Sequence, residues 1–454
     1  MDENKKLIMM RDEPIPNALL KMGLPTMIGM LITALYTLAD TYFVSGLGTS
    51  QVAAVSITYP VVQVMIGMGM MFGSGASSYL ARLLGAGNRE EPDKVASTAL
   101  YTSVGIGVLT SIGVLVFLTP IMRALGATDT ILPYALEYGR VYIAFAFLNI
   151  FNVTMNNIIT SEGAARFTMS AMLLGAGLNV VLDPIFIYVL GFGVAGAAWA
   201  TILAQFATSL LYIYYIMSKR SVFSFRIHKF TPNLVTYIEI LKVGVPTLIF
   251  QLLTSVAISL TNTMAADYGD EAIAAMGIVT RIMTLGTYAI FGFSKGFQPL
   301  AGYNYGAKNY ERLNEIIKKA LLWVTIFCVA MAVIFVSFPN LIMSVFATDQ
   351  TVVEIGSKAL RANGIMFTFF GFFVVYSTLF LALGKAKQGS LLSISRQGYF
   401  FIPVILIIPR LIGLDGIIYA QAIADVFTVI LTFVMYLHTN KELKQMSGYV
   451  AAKV

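Results

Sequence analysis

Twelve long apolar segments follow one another along the chain, and they restrict its fold more than any other feature of the sequence. The segments are residues 17–44, 51–82, 94–120, 132–159, 168–190, 194–217, 238–266, 271–303, 313–338, 351–382, 389–411 and 414–437. Each exceeds the roughly 20 residues that a helix needs to cross a bilayer, and none shows the alternation of β-barrel strands. Because only 12% of the residues are charged, against about 25% in soluble domains, we predict an all-α membrane protein with 12 transmembrane helices.

The basic residues fall mainly on one side of these predicted helices. With the N-terminus in the cytoplasm, 23 of the 30 lysines and arginines lie on the cytoplasmic side, among them Arg396 in a loop and Lys453 in the tail. The positive-inside rule therefore predicts a multi-pass protein of the cell membrane with both termini cytoplasmic. This asymmetry also accounts for the net charge of +7, so that charge does not indicate a nucleic-acid partner.

The sequence repeats itself after 221 residues. This shift places LLKMGLPT (19–26) on ILKVGVPT (240–247), and the register continues without a gap to GAGN (85–88) and GAKN (306–309). Glycine, proline and asparagine pairs in a fixed register are much harder to obtain by chance than matches between apolar residues.

The repeat predicts two six-helix lobes. We place the N-terminal lobe at residues 1–217, a basic cytoplasmic linker at 218–237 and the C-terminal lobe at 238–454. Since six helices bring each lobe into the membrane from the same side, the two bundles are related by a pseudo-two-fold axis along the membrane normal. A substrate path between the lobes follows from this arrangement.

Two carboxylic acids lie inside otherwise apolar segments, Asp40 in the first predicted helix and Asp183 in the fifth. A charged acid in the bilayer costs roughly 2.5 kcal/mol or more, and membrane proteins that keep one commonly use it to carry an ion or a proton. Two neighbouring carboxyl groups would titrate as a unit. Alternatively, Asp40 lies late enough in its helix to reach the water outside.

Neutral oxygen-bearing side chains share helix faces with these acids. Tyr36 precedes Asp40 by about one turn, Asn179 precedes Asp183 by one turn, and Thr201 lies in the sixth helix. If the first, fifth and sixth helices share a cavity, these five side chains converge on one site. Such oxygen atoms suit a hard monovalent cation such as Na⁺, or a proton.

Two prolines stand near these acids. Pro184 follows Asp183, removes one helical hydrogen bond and frees a carbonyl group one turn earlier. Pro25 is expected to bend the first helix below Asp40. A bend that responds to the charge of the acid would form a switch, whereas a static packing role is an equal alternative.

The second half lacks matching acids, because the 221-residue shift places Thr261 opposite Asp40. Carboxylate-based ion coupling would therefore belong to the first half. The second half instead carries Arg281 and Lys295 inside an apolar segment, which marks a possible cavity in the C-terminal lobe. These long side chains can also extend to the interface or pair internally, for instance with Asp425.

The residues that would support catalysis or a resident cofactor are sparse. Cys328 is the single cysteine, which excludes an internal disulfide, and His228 and His438 lack metal-ligand spacing. The sequence contains no Walker-type phosphate loop, so direct use of ATP is not expected. We predict a protein that is not an enzyme and that needs no cofactor besides a coupling ion.

Several motifs together resemble the multidrug and toxic compound extrusion (MATE) family, on its bacterial MepA-like or DinF-like side. They are GLPT at 23–26, GVPT at 244–247, YTLADTYFVSGLG at 36–48, ARLLGAGN at 81–88, LNVVLDPIF at 178–186, GAAWAT at 196–201 and GFQPLAGYNYGA at 296–307. The resemblance implies two bundles forming a V, alternating access, and export of cationic amphipathic drugs against inward H⁺ or Na⁺.

The resemblance also implies a cation site in the first lobe. Its residues are Asp40, Asn179, Asp183 and Thr201, with Tyr36 nearby, and they would be the metal ligands if the ion is Na⁺. The NorM-like branch of the family instead places functional acids in its second lobe. Thr254 stands where the first of those acids would align, which argues against a second-lobe sodium site.

We therefore predict a secondary antiporter that exports organic cations by alternating access, acting as a monomer in the bilayer. The alternative is a flippase or exporter of a lipid-linked or polar metabolite, which Arg281 and Lys295 leave open. A membrane-embedded enzyme or receptor is disfavoured, because the sequence has neither clustered catalytic residues nor a sensory domain. The sequence does not decide between H⁺ and Na⁺.

Overall fold

The structure of the protein is a computed structural model, which describes residues 3–451 and the side chains of residues 5–446. The outermost ends of the predicted lobes, residues 1–2 and 452–454, lie outside the described residues, and so does Lys453. Across the described range the chain is helical and contains no β-strand.

The first half of the described chain is built from helices α1 to α9. They are α1 (Glu3–Arg11), α2 (Ile15–Ser45), α3 (Thr49–Gly85), α4 (Glu91–Val116), α5 (Leu118–Ala124), α6 (Leu132–Ala144), α7 (Ala146–Ser161), α8 (Ala165–Pro184) and α9 (Gly193–Met217). A π-helical turn, Ile185–Val189, continues α8 directly after Pro184. In contrast, α2 runs without interruption through Pro25, so the bend expected there stays a prediction.

The second half is built from helices α10 to α17. They are α10 (Leu234–Ala266), α11 (Asp270–Gly306), α12 (Tyr310–Ser337), α13 (Pro339–Phe346), α14 (Gln350–Ala382), α15 (Ala386–Ile394), α16 (Phe401–Ile412) and α17 (Leu414–Ala451). A π-helical turn, Ser395–Phe400, joins α15 to α16. The linker contains a short 3-10 helix, Ile227–Lys229, and α10 begins inside the predicted linker because Asn233 caps it by accepting a hydrogen bond from the backbone N–H of Val235.

Eleven spans in the described chain are long and apolar enough to cross a bilayer, and α6 with α7, bent by 49°, provides a twelfth. Each of these spans overlaps one of the predicted segments. The prediction of an all-α membrane protein with two six-helix bundles is therefore confirmed. Among the predicted ends, the last differs most, because α17 continues to Ala451 rather than ending at residue 437.

The two halves pack closely against each other at one end of the molecule, where α3 and α11 end and α10 begins. We call this end the basic end, because most of the lysines and arginines lie near it. A Cβ atom on Gly75 would overlap the carbonyl group of Ile240, and one on Gly244 would overlap the carbonyl group of Met71. Glycine at these positions lets helices of opposite halves approach closely, as small residues do in membrane proteins.

Polar contacts reinforce this closure. Arg82 at the end of α3 forms an ion pair of 3.0 Å with Glu239 at the start of α10. The Ser78 hydroxyl donates a hydrogen bond of 2.5 Å to the carbonyl oxygen of Leu381. The basic end is thus held by both backbone packing and side-chain bonds between the halves.

The N-terminal helix α1 bridges the halves at the same end. The buried ammonium group of Lys6 lies 2.7 Å from a carboxylate oxygen of Glu162, in the turn after α7. The side-chain amide of Asn304 in α11 donates to the carbonyl oxygen of Met10 at 3.2 Å. One short helix therefore contacts the first half through its lysine and the second half through its backbone.

Toward the opposite end, fewer residues of α2 and α10 are buried. In α2 the buried residues lie mostly between Ile15 and Gly29, and beyond Gly29 only Ala34 and Val44 are buried. In α10 the burial is likewise concentrated before Pro246. We interpret the more exposed remainder of these two helices as the walls of a cleft between the halves that opens toward this end.

A disulfide across the basic end is expected to form with little adjustment. A Cβ atom on Gly302 of α11 would lie 3.1 Å from the Cβ atom of Ala81 of α3, close to the roughly 3.8 Å of disulfides. In a Cys328→Ala background, Ala81→Cys combined with Gly302→Cys should cross-link under mild oxidation, as measured by mass spectrometry of proteolytic fragments. Ala81→Cys combined with Gly277→Cys is the control and should stay reduced, because Gly277 lies far along α11 from Gly302. Failure of the first pair to cross-link would contradict the closure.

Candidate functional site

Asp183 occupies the last turn of α8 and is fully buried. Its Oδ1 atom accepts a hydrogen bond of 3.2 Å from the side-chain amide of Asn179, one turn earlier on the same helix face. The same amide donates to the hydroxyl of Thr201 on α9 at 3.2 Å, and that hydroxyl donates to the carbonyl oxygen of Ala197 at 3.0 Å. The fifth and sixth spans thus hold three of the predicted site residues in one chain of hydrogen bonds.

Asp40 reaches this group from α2, which packs along α8. The carboxyl groups of Asp40 and Asp183 are near enough for their charges to interact, and Tyr36 lies within the same range of Asp40. Asp40 is half-buried. All five predicted residues therefore belong to one region of the first half, as expected if the first, fifth and sixth spans share a cavity.

Three buried oxygen atoms of this region lack a hydrogen-bond partner among the described residues. They are Oδ1 of Asp40, Oδ1 of Asn179 and Oδ2 of Asp183. A buried acceptor without a partner is costly, and proteins rarely keep several together without a use for them. Two carboxylates with neutral amide and hydroxyl oxygens form a donor set that fits a monovalent hard cation or a proton.

Two tyrosines that sequence reasoning missed also border this region. Tyr138 and Tyr142 of α6 are buried and stack with ring centroids 5.8 Å apart. Their helix, α6, packs against α9, which carries Thr201. Their spacing of four residues, which puts both on one helix face, was the available signal, but nothing in the sequence showed which cavity that face meets.

A further tyrosine, from the second half, lies on a helix that packs against the first half. Tyr288 belongs to α11, which contacts α2, the helix of Tyr36, and α3, the helix of Tyr59. Helices that pack together across the two halves thus carry these three tyrosines, an arrangement that the sequence alone did not indicate.

Lys295 and Arg281, the predicted residues of a C-terminal cavity, separate in the structure. The ammonium group of Lys295 donates to the side-chain oxygen of Asn156 in α7, across the interface between the halves. The amide of Asn156 in turn donates to the hydroxyl of Tyr212 at 2.8 Å. Arg281 is exposed, so these two basic residues do not form one site.

The suggested pairing of either residue with Asp425 is wrong. Asp425 accepts hydrogen bonds of 2.8 and 3.0 Å from Arg396, and a further one of 2.8 Å from the amide of Gln421. The placement of Arg396 in a cytoplasmic loop is also wrong. It lies in the π-helical turn between α15 and α16, which directs its guanidinium group toward α17 and over the ring of Phe370, 4.6 Å from the ring centre.

Known proteins resemble this chain over nearly its whole length. The model of the MatE family matches residues 25–185 and 246–407, two stretches that start one repeat length apart. The multidrug export protein MepA of Staphylococcus aureus strain NCTC 8325 is 31% identical over 425 residues, which cover 93% of this chain and 94% of that relative. MepA of Staphylococcus haemolyticus strain JCSC1435 is 29% identical over 443 residues, which cover 97% of each.

Two solved structures also superpose closely on this chain over nearly its whole length. An outward-facing conformation of a multidrug resistance MATE family transporter of the MOP superfamily superposes with a TM-score of 0.92 and is 32% identical, covering 97% of this chain and 99% of that one. A MOP superfamily transporter from Pyrococcus furiosus Vc1 superposes with a TM-score of 0.91, with the same identity and coverage.

Cation binding at the buried carboxylates is expected to stabilise the purified protein. Either Na⁺, titrated against choline, or a lowered pH should raise the midpoint of thermal unfolding by about 2 °C or more, because a ligand that binds only the folded state stabilises it. Asp183→Asn should remove this response, since the amide keeps the shape but not the charge. Asp129→Asn, which changes an exposed acid, is the matched control. An unchanged response in Asp183→Asn would exclude this carboxylate as the site.

Proposed function

Because this chain belongs to the MatE family, we propose that it exports cationic amphipathic compounds by alternating access, in exchange for inward H⁺ or Na⁺. The protein is a multi-pass membrane transporter and not an enzyme. The observation that carries the proposal is the group of Asp40, Asp183, Asn179 and Thr201, with three buried oxygen atoms that have no partner among the described residues. The names of the curated relatives, multidrug export proteins, support the substrate class.

The ion is proposed to bind between α2 and α8. Asp183 and Asn179 would supply one side of the site from α8, and Asp40 would supply the other from α2, with Thr201 and Tyr36 nearby. Binding of one positive charge relieves the repulsion between the two carboxylates and provides partners for their free oxygen atoms. The ion therefore favours a closer approach of α2 to α8 than the unbound state does.

The substrate is proposed to enter the cleft between the halves. Tyrosine faces attract organic cations, and Tyr36, Tyr59 and Tyr288 lie on helices of both lobes that pack against each other. Since Tyr36 is also a neighbour of Asp40, a movement of α2 on ion binding would displace one wall of the substrate site. This shared helix gives a physical basis for the exchange of ion against drug.

The closure of the two halves at one end supports a transport cycle of alternating access. The positive-inside rule assigns the basic end to the cytoplasm, together with both chain termini, so the cleft faces outward in the cell membrane. The superposition on an outward-facing transporter supports this orientation. Rocking of the two lobes would break the contacts of Arg82 with Glu239 and of Lys295 with Asn156, and would open the basic end. A single chain contains all the groups that this proposed cycle uses, so the proposed transporter is a monomer.

Ion-driven transport is expected to depend on both acids. In proteoliposomes, a tenfold gradient of the coupling ion can sustain an organic cation ratio of about tenfold for one-for-one exchange, since each tenfold ratio is worth about 1.4 kcal/mol. Proton and sodium gradients are imposed separately, with a fluorescent organic cation as the substrate. Asp40→Asn and Asp183→Asn should bring the ratio down to about one. Full gradient-driven accumulation in Asp183→Asn would refute the proposed coupling, and accumulation of lipid-linked rather than cationic cargo would favour a flippase.

Locking the basic end should stop transport. The variant with Ala81→Cys and Gly302→Cys, in the Cys328→Ala background, is expected to transport normally when reduced and to lose transport when oxidised, because the lobes can no longer separate there. Uptake is measured in the same vesicles before and after addition of reductant. The Ala81→Cys single variant should be insensitive to oxidation. A cross-linked protein that still transports would contradict rocking of the lobes about this end.

A further inference from the structure

An open groove runs along the outer surface of the second half, between α10 and α15. It has a volume of about 540 Å³, and its floor is made mostly of aliphatic side chains such as Val245, Ile249 and Leu391. Val245 and Leu391 are exposed to 38% and 44%, and Tyr399 at one side of the groove is exposed to 59%. The surface is thus apolar, concave and open toward the surroundings of the helices, which in a membrane are the lipids.

Two positively charged lysines lie at one end of this apolar groove. Lys242 on α10 and Lys387 on α15 both line the groove near the basic end. The side chain of Lys387 is exposed and forms no ion pair with the side chains that the structure describes. From Lys242 the groove continues along α10 to Ile249, a distance of roughly 10 Å along the helix axis.

The order of these features matches the order of groups in a phospholipid. Basic pockets between membrane helices on the cytoplasmic side hold anionic headgroups, and apolar surface beside them accommodates acyl chains. We propose that this groove binds an anionic phospholipid of the cytoplasmic leaflet, with its phosphate between Lys242 and Lys387 and an acyl chain along Val245 and Leu391. This assignment is independent of the exported substrate, because all the residues that line the groove belong to the second half.

The bound lipid would act on the closure of the basic end. Lys242 pairs with Glu239, the same carboxylate that pairs with Arg82 of the first half. A phosphate group at Lys242 competes with Glu239 for that ammonium group, which leaves the carboxylate to Arg82 alone. Anionic lipid therefore strengthens the ion pair between the lobes and favours the state in which the basic end is closed.

Lipid binding is tested with the purified full-length chain. The protein in detergent is titrated with dioleoyl phosphatidylglycerol or dioleoyl phosphatidylcholine, and bound lipid is counted by native mass spectrometry. We expect tighter binding of phosphatidylglycerol, and a loss of about fivefold in that affinity for Lys387→Gln, the effect of one lysine near an anionic lipid. Val245→Trp, which fills the groove but keeps both lysines, should weaken the binding of both lipids.

Lys318→Gln serves as the matched control, since Lys318 is an exposed lysine near the same end, on α12, and does not line the groove. Its affinity should equal that of the unchanged protein, and all variants are required to keep their thermal unfolding midpoint. Equal affinity for the two lipids, an unaffected Lys387→Gln, or the same loss in Lys318→Gln would overturn the proposal. Displacement of the lipid by inorganic phosphate alone would indicate a site for free anions. Detection of a stable dimer of the protein would indicate that the groove is a protein interface. Either result would also overturn the proposal.

The effect on closure has its own measurement. In the Ala81→Cys, Gly302→Cys variant, cross-linking should proceed faster in phosphatidylglycerol nanodiscs than in phosphatidylcholine nanodiscs. Adding Lys387→Gln should remove the difference between the two lipids. Cross-linking rates that do not depend on the lipid, together with selective binding, would show a lipid site without influence on the lobes and would overturn that part of the proposal.

Discussion

The cost of keeping a charged or polar group away from water governs this molecule. Each half contains a buried carboxylate in its last helices, Asp183 in the first half and Asp425 in the second. The two carboxylates differ in the hydrogen-bond partners that compensate for their burial. In the second half, Arg396 and Gln421 donate to the oxygens of Asp425, so the carboxylate carries its own tethered cation. In the first half, Asp183 has a single amide partner and one oxygen without a partner in the described chain. This difference supports the proposal that the mobile cation binds in the first half.

This difference explains why a duplicated fold can work asymmetrically. Both halves provide the same helical framework, yet the carboxylate of the fifth span keeps an oxygen atom without a partner in the described chain, whereas the carboxylate of the twelfth span is paired with Arg396 of the eleventh. In contrast, both halves contribute in a similar way to the interface between them. Glycines of both repeats, such as Gly75 and Gly244, let the backbone of one half enter the surface of the other at the basic end. A transporter needs both properties, because an ion site without a movable interface could bind but not carry.

Individual residues show how far the sequence could be interpreted alone. Asp40, Asn179 and Asp183 were recognisable because carboxylates and amides are rare in apolar segments and because helical spacing aligned them. Tyr138 and Tyr142 were not, since tyrosines are common in membrane helices and their significance depends on which helix they face. The pairing of Asp425 was predicted wrongly, because a π-helical turn changes the direction in which Arg396 points, and such a turn has no simple sequence signature.

The sequence by itself determined the membrane environment, the twelve spans, the duplication and the rarity of buried acids, because hydropathy, length and repeated residues are properties of segments rather than of contacts. Tertiary structure alone decided which polar groups satisfy one another, which end of the molecule is closed, and that α11 of one half packs along α2 of the other. These features depend on how helices distant in the chain are packed and rotated against each other, and a shift of one residue in a helix turns its side chains by about 100° toward different neighbours.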